Sequence, residues 1–381
     1  MIYFDNSATT RPYIEAIDTY VKVSTEYFGN PSSLHPLGKI SERLLNQSRV
    51  RAAELLEIDP SEIIFTSGGT EGNNLAIKGT AHKYQSRGRH LITSNIEHPS
   101  VFEAFQQLEI EGFKVTYLPV DENGHIKPEQ VAAAITEETT LVSLIHVNNE
   151  MGSVQEIEEI GEILSSFPKV LFHVDHVQGI GKVSLNFKKA KIDLCTISAH
   201  KFHGMKGSGI LYVKKGVHLH ALLSGGRQER GIRAGTENVA GVASMIKALR
   251  ITLDNFKSSI KEIEELNHWL EEECKKVPGV VINSPYERAP HILNISVPGL
   301  KPEVMVQALA DKDIFVSTKS ACSSKDPEPS RVLLNFGYDI ERASSALRLS
   351  FSYDNTYEEA KEFIKIFPEI VASLKRVVTN K

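Results

Sequence analysis

A lysine stands between two histidines in the stretch SAHKFHG, residues 198–204. The preceding run IDLCTIS is apolar and β-branched, which is typical of a buried strand, so Lys201 lies at a predicted strand end. An isolated lysine is ordinarily a solvated loop residue. A lysine drawn into a pocket, however, loses its proton more readily and can form a Schiff base.

A turn of small residues, TSGGTEGNN at 66–74, follows the predicted strand EIIFT and precedes a helical pattern. Bare backbone N–H groups and the helix dipole make such a turn an anion site, so Gly69 and Thr70 are candidates for binding phosphate. A plain tight turn is the alternative. The turn matches neither G-x-G-x-x-G nor a Walker A loop, which argues against a mononucleotide site.

Two further strand ends carry polar residues. Asp175 ends the run KVLFHVD, where a carboxylate can pair with the protonated ring nitrogen of pyridoxal phosphate. Gln178, three residues later, can hydrogen-bond the phenolic oxygen of the same ring. A helix cap is the alternative role for Asp175. His98 follows the run HLITS and can stack on a ring or relay protons, and Asn148 follows another strand but can equally satisfy a turn.

The joint order of these groups is more informative than any one of them. A phosphate turn, a histidine, an asparagine, Asp-x-x-Gln and Ser-x-His-Lys follow successive predicted strands. Together they predict a pyridoxal phosphate site in which Lys201 forms the Schiff base, while Ser198 and His200 help to hold the phosphate.

The elements that must position this site form an α/β pattern. Seven short apolar runs alternate with helical patterns: EIIFT, HLITS, KVTYL, TLVSLIH, KVLFHVD, IDLCTIS and GILYV. This alternation predicts a mostly parallel sheet covered by helices, with ligands at the carboxyl ends of the strands. After residue 250 come a charged helical stretch, IKEIEELNHWLEEECKKV, and the strand-like runs HILNISV and SALRLSFS. We expect a large α/β domain over residues 15–250. We expect a small α+β domain over residues 251–381, which also includes about residues 1–14.

Composition narrows the class of protein. The 381 residues are 41% hydrophobic and 24% charged, with a net charge of −5, so no direct nucleic-acid partner is expected. The start MIYFDNSATTRPY lacks a signal-peptide pattern, and no run reaches roughly 18 apolar residues, so we expect a cytoplasmic protein without a membrane partner. Cys195, Cys274 and Cys322 form no C-x-x-C pair, which argues against a disulfide framework or a metal site.

Motifs along nearly the whole chain resemble those of the cysteine desulfurases. They are YFDNSATT, GNPSSLH, FTSGGTEGNNLAI, EHPSV, VNNEMG, HVDHVQ, SAHKFHGMKGSGILYV, GGRQERGIRAGTENV, SACSSKDPEPSRVL and LRLSF. These enzymes belong to the class V aminotransferase family of pyridoxal phosphate enzymes, and the resemblance is to the iron–sulfur-cluster and nitrogen-fixation branch. It implies a fold type I transferase with a mostly parallel seven-stranded sheet.

The resemblance also implies roles for individual residues. Thr70, Ser198 and His200 would bind the phosphate, and Thr236 would reach the phosphate of the other subunit of a homodimer. His98 would stack on the ring and help to move protons, Asn148 and Gln178 would contact the phenolic oxygen, and Asp175 would pair with the ring nitrogen. Arg348 in LRLSF would bind the substrate carboxylate.

Cys322 falls where the family places its persulfide-forming cysteine. It lies in the polar stretch STKSACSSKDPEPS near Lys319 and Lys325, which favours an accessible thiolate. Cys195 is expected to pack in a strand, and Cys274 to lie on a helix without a function. Three positions depart from the family pattern: Lys319 stands where glycine is common, His176 where alanine is common and Met205 where proline is common.

The implied reaction converts L-cysteine to L-alanine and leaves sulfur as a persulfide on Cys322. The sulfur would pass to an acceptor protein, such as a cluster scaffold or an enzyme of tRNA or thiamine thiolation. Alternatives are an aminotransferase or selenocysteine lyase of the same fold, a non-catalytic sulfur-delivery scaffold, and a thiol hydrolase using Cys322 with a histidine. The joint presence of Lys201, Asp175 and Arg348 argues against the scaffold.

Overall fold

The structure is a computed structural model that describes residues 1–319 and 328–379. Cys322 and Lys325 lie outside the described residues, so the predicted role of Cys322 stays a prediction. The strands are β1 (Ile2–Tyr3), β2 (Ile63–Thr66), β3 (His90–Ser94), β4 (Lys114–Leu118), β5 (Thr139–Ile145), β6 (Leu171–Asp175), β7 (Leu194–Ser198), β8 (Gly209–Val213), β9 (Val281–Ile282), β10 (Ile292–Ser296), β11 (Ile314–Phe315) and β12 (Ala346–Ser350). The helices are α1 (Ile14–Glu26), α2 (Pro36–Leu56), α3 (Gly69–Tyr84), α4 (Pro99–Ile110), α5 (Pro128–Ala134), α6 (Ile157–Leu164), α7 (Val239–Lys275), α8 (Pro302–Ala310), α9 (Arg331–Asn335), α10 (Ile340–Ala343) and α11 (Tyr357–Thr379).

The central sheet has seven strands in the order β2-β8-β7-β6-β5-β3-β4. β8 is antiparallel to both of its neighbours, and the other pairs are parallel. The prediction of a mostly parallel seven-stranded sheet is therefore confirmed. Strands β2, β3, β5, β7 and β8 are buried along their whole length. Such strands read as unbroken apolar runs because helices cover both faces of the sheet.

A smaller group of strands forms around the end of the chain. β9, β10 and β12 make an antiparallel sheet, and β1 pairs in parallel with β11. The large hydrophobic cluster contains β6 and β7 residues, whereas a second cluster contains Phe4, Leu293 and Leu349. This separation supports the predicted division into a large domain and a small one completed by the first residues, which we retain as a proposal.

Helix α7 runs for 37 residues and connects the two clusters. The predicted helical stretch occupies only its second half. The helix begins at Val239 because the Asn238 side chain caps it, accepting a 2.9 Å hydrogen bond from the Gly241 N–H. No proline interrupts the residues that follow. None of the helices in the described ranges combines the length and the apolar character required to cross a membrane.

Candidate active site

A cavity of about 160 Å³ opens at the carboxyl edge of the central sheet. Its walls include nine predicted site residues: Gly69, Thr70, His98, Asp175, Gln178, Ser198, His200, Lys201 and Arg348. The wall also includes residues that sequence reasoning missed, among them Ser7, Ala8, Asn73, Ser100 and Asn149. β3, β5, β6 and β7 are parallel, so the segments that leave them meet at one edge.

Lys201 ends the short 3-10 turn that follows β7. Its Nζ donates to the backbone oxygens of Ser7 at 2.6 Å and Ala8 at 2.8 Å. The same early segment is fixed by Thr10, whose N–H donates to the His200 oxygen at 2.9 Å. The start of the chain therefore crosses directly beside the lysine amine and forms part of the cavity.

The first turn of α3 lines one end of the cavity with Gly69 and Thr70. Gly68 precedes the helix with φ 149° and ψ −169°, a conformation that is essentially restricted to glycine. A side chain on Gly69 would bring its Cβ within 3.0 Å of Val177 Cγ2. The Ser198 hydroxyl beside this turn is buried and has no hydrogen-bond partner among the residues that the structure describes. An unpaired hydroxyl next to the free N–H groups of a helix start fits a phosphate.

Asp175 is only 3% exposed at the end of β6. Its Oδ1 accepts from the Val177 N–H at 3.0 Å, and its Oδ2 accepts from Asn73 Nδ2 at 2.7 Å. Burial raises the pKa of Asp175, and these hydrogen bonds and the Lys201 charge oppose that rise. A buried carboxylate on a cavity wall is stabilised by a cationic partner, which a protonated ring nitrogen would supply.

His98 is the N-cap residue of α4. Its Nδ1 accepts a hydrogen bond from the Ser100 N–H at 3.1 Å and lies 2.8 Å from the Ser100 hydroxyl. Burial, followed by the charges of Lys201 and Arg348, lowers the pKa of His98 to about 3. The imidazole is therefore neutral at pH 7.

Arg348 lies on β12 and is 1% exposed. Its Nη1 donates to the Asn149 backbone oxygen at 2.7 Å, and its Nη2 donates to Ser317 Oγ at 2.9 Å and Asp5 Oδ1 at 3.3 Å. Within the described ranges, its Nε has no hydrogen-bond partner. The guanidinium is thus fixed on the cavity wall with a donor to spare, which fits a ligand carboxylate.

Two of the predicted residues do not reach this cavity. The Asn148 side chain closes its own turn, because Oδ1 accepts from the N–H groups of Glu150 and Met151 and Nδ2 donates to the Ile96 oxygen. Its neighbour Asn149 lines the wall instead. Thr236 is exposed and lies away from the cavity.

Cys195, Cys274 and His176, which stands where the family commonly has alanine, lie in the interior of the protein. Cys195 and Cys274 are both buried, and burial raises the pKa of each thiol, to about 12 for Cys274. Neither is poised to act as a thiolate. His176 packs against His146, with 2.8 Å between the two Nδ1 atoms, and burial keeps the pKa of both below the usual value.

Comparisons with known proteins agree with this chemistry. Residues 2–363 match the family described as aminotransferase class-V. The chain is 46% identical over 380 residues to the NifS/IcsS protein homolog of Lactobacillus delbrueckii subsp. bulgaricus, covering 99% of each chain. It is 42% identical over 377 residues to the cysteine desulfurase IscS of Methanosarcina thermophila, covering 99% of this chain and 93% of that one.

A solved structure of a NifS-like protein has the same fold, with a TM-score of 0.92 and 37% sequence identity. The similarity covers 98% of this chain and 100% of the other. The residues of the cavity fit the cofactor of this group, because they bring together an amine, a buried carboxylate and the start of a helix. The chain therefore belongs to the aminotransferase class-V family of pyridoxal phosphate enzymes, in the group that contains the cysteine desulfurases.

Proposed function

We propose that this protein is a cysteine desulfurase, which converts L-cysteine to L-alanine and holds the released sulfur as a persulfide on Cys322. The observation that carries this proposal is that Lys201, Asp175 and Arg348 line the same cavity. The first two serve the cofactor, and the third serves the carboxylate of an amino acid. The activity in the names of similar proteins supports the choice of cysteine as the substrate.

Pyridoxal phosphate, when bound, withdraws electrons from the bonds of an attached amino acid. Ser198, Thr70, His200 and the start of α3 would hold its phosphate. Asp175 would accept a hydrogen bond from the protonated ring nitrogen. Gln178 remains our candidate for the phenolic oxygen. We assign the second amide there to Asn149 instead of Asn148, because Asn149 lines the cavity.

The remaining roles concern the substrate. Arg348 orients the substrate carboxylate, because hydrogen bonds to the Asn149 backbone oxygen and to Ser317 Oγ fix its guanidinium. Lys201 Nζ takes up the proton of the α-carbon. The Cys322 thiolate attacks the substrate sulfur, so an S–S bond forms as the C–S bond breaks. The electron pair of the broken bond stays on carbon, which takes up a proton to become the methyl group of alanine.

A homodimer is part of the proposal. Exposed apolar side chains concentrate near α1 and the start of α2, including Phe28, which is 70% exposed, and Leu34, which is 89% exposed. Such surfaces mark interaction sites, and a second copy of the chain is the occupant we propose. Thr236, which is exposed in one chain, would then reach the phosphate of its partner. Light scattering on the purified protein should give twice the chain mass, and Leu34→Glu should reduce it.

The sulfur acceptor that we propose is a protein of iron–sulfur cluster assembly, tRNA thiolation or thiamine synthesis, met in the cytoplasm. A relay experiment checks this part, with labelled cysteine as the sulfur source and each class of acceptor supplied separately. Transfer of label to one of these acceptors is the expected result, and label that stays on the enzyme with all of them would contradict the proposal.

The main experiment uses Cys322→Ser. The variant should still bind the cofactor and cysteine, because neither step needs the thiol, but it should form neither alanine nor persulfide. Cys274→Ala is the matched control and should keep sulfur transfer, since that thiol is buried. Undiminished alanine and persulfide from Cys322→Ser would assign the nucleophile to another group. A keto acid formed from cysteine by the wild type without sulfur release would favour an aminotransferase.

A further inference from the structure

A chain of hydrogen bonds connects His98 to Asp175 through two residues that the proposed mechanism does not use. Asn73 Nδ2 lies 2.7 Å from Asp175 Oδ2 and 2.9 Å from Ser100 Oγ. Ser100 Oγ lies 2.8 Å from His98 Nδ1. Asn73 on α3 therefore joins the end of β6 to the beginning of α4.

The direction of each hydrogen bond follows from its ends. The Ser100 backbone N–H can only donate, so the His98 Nδ1 at 3.1 Å must accept and carries no proton in the neutral ring. The Ser100 hydroxyl must then also donate to Nδ1, and its oxygen is left to accept from Asn73. At the other end, Asp175 Oδ2 accepts a hydrogen bond from the same amide nitrogen.

The proton of neutral His98 is thereby assigned to Nε2. This nitrogen makes no hydrogen bond within the described part of the chain, and the ring lines the cavity. The charged groups Lys201, Arg348 and Arg331 all act against a second proton on the ring, as does its burial. A ring of this kind offers the cavity a donor and not a base.

We propose that Asn73 and Ser100 are positioning residues that hold His98 in the Nε2–H form, so that His98 donates a hydrogen bond into the cavity and Lys201 alone takes up the substrate proton. The inference rests on the proposed function, in which the substrate proton is the one on the α-carbon of cysteine. It narrows the role expected for His98 from a proton carrier to a fixed hydrogen-bond donor.

Asn74 provides an internal control. Its side chain also reaches from α3 to α4, but among the described residues it donates only to the backbone oxygens of Thr70 at 3.0 Å and Ser100 at 3.3 Å. Asn74→Ala therefore removes the same chemical group from the next position of the same helix. It leaves Asp175 and the Ser100 hydroxyl in contact with Asn73.

The decisive measurement is the tautomer of His98 in the holoenzyme labelled with ¹⁵N-histidine. Two-bond ¹H–¹⁵N correlation spectra distinguish a protonated from an unprotonated ring nitrogen, and His98→Gln identifies the signals. We expect an unprotonated Nδ1 and a protonated Nε2 from pH 6 to pH 9. A proton on Nδ1 in the wild type overturns the proposal, whether or not the enzyme desulfurates cysteine.

Variants test the two positioning residues. In Ser100→Ala the ¹⁵N chemical shift of His98 Nδ1 should move toward the value of an unprotonated nitrogen that accepts no hydrogen bond. Ser100→Thr should restore the wild-type shift, because the hydroxyl returns. Asn73→Ala should weaken cofactor binding by about 10- to 100-fold, the usual effect of losing a hydrogen bond to a charged group. Asn74→Ala should leave both readouts within about threefold of the wild type. Equal effects of Asn73→Ala and Asn74→Ala on cofactor affinity would contradict the role of Asn73.

Discussion

The side-chain nitrogen of Lys182 donates a hydrogen bond of 2.7 Å to the backbone carbonyl oxygen of Lys201. Lys182 is buried, and burial together with the charge of Lys201 lowers its pKa to about 7. A second amine thus supports, from inside the protein, the turn that presents Lys201 to the cavity.

This placement predicts an effect on the pH dependence of stability. Between pH 7 and pH 10 the unfolded chain keeps the Lys182 proton and the folded apoprotein loses it, so this residue makes stability rise with pH, by at most about 1.4 kcal/mol per pH unit. Lys182→Met should remove that contribution and give a flatter profile. Urea unfolding of the apoproteins at fixed protein concentration measures both slopes, and equal slopes would show that Lys182 keeps an ordinary pKa.

Lys201 should be the residue that binds the cofactor covalently. Reduction of the wild-type holoenzyme with borohydride, followed by peptide mass spectrometry, should place the cofactor on the peptide that contains Lys201. Lys201→Ala should yield no modified peptide, although the cofactor can still bind without a covalent bond. Lys206→Ala removes an exposed lysine five residues later and should leave the modification in place. A reducible linkage that survives in Lys201→Ala would show that another residue binds the cofactor covalently.

Arg348 should control the affinity for substrate. Replacing it by alanine removes a buried charged donor, so the KM for cysteine should rise by a factor of about 30 or more while the spectrum of the resting enzyme changes little. Arg342→Ala is the control, because Arg342 binds Asn283 and the backbone of Ile282 and does not line the cavity. An unchanged KM in Arg348→Ala would mean that another group holds the carboxylate.

His173 should make the protein sensitive to acid. Its two ring nitrogens contact the hydroxyls of Ser143 at 2.7 Å and Thr196 at 3.0 Å, and burial lowers its pKa to about 3. Below pH 6.5 the unfolded chain binds a proton that the folded protein excludes, so stability present at neutral pH is lost as the pH falls. His173→Gln should lose about 2 kcal/mol less than the wild type between pH 7 and pH 5. Denaturant unfolding at both pH values measures this difference, and identical losses would contradict the shifted pKa.

The central sheet could be predicted from sequence because its strands are buried on both faces and appear as separate apolar runs. The carboxyl ends of parallel strands share an edge, so strand order along the chain was enough to bring His98, Asp175 and Lys201 together as candidates. Three of the family motifs, EHPSV, HVDHVQ and SAHKFHGMKGSGILYV, lie at the ends of β3, β6 and β7.

Other parts of the site depend on information that periodicity does not contain. Asn148 and Asn149 are adjacent and chemically identical, but the turn directs one side chain inward to its own backbone and places the other on the cavity wall. The contact between Asn73 and Ser100 joins two helices, and the contact between Ser7 and Lys201 spans 194 residues of sequence. Such pairings arise only when the elements pack.

Helix α7 sets a mechanical condition on the whole molecule. At 1.5 Å per residue its 37 residues extend about 55 Å, with Val242 and Leu249 in one core and Leu266 and Leu270 in the other. Rotating one core against the other would bend a continuous helix and stretch its backbone hydrogen bonds. The continuous helix therefore resists rotation of the two cores against each other. Substrate should enter and product should leave through movements of the short segments around the cavity, at far lower elastic cost.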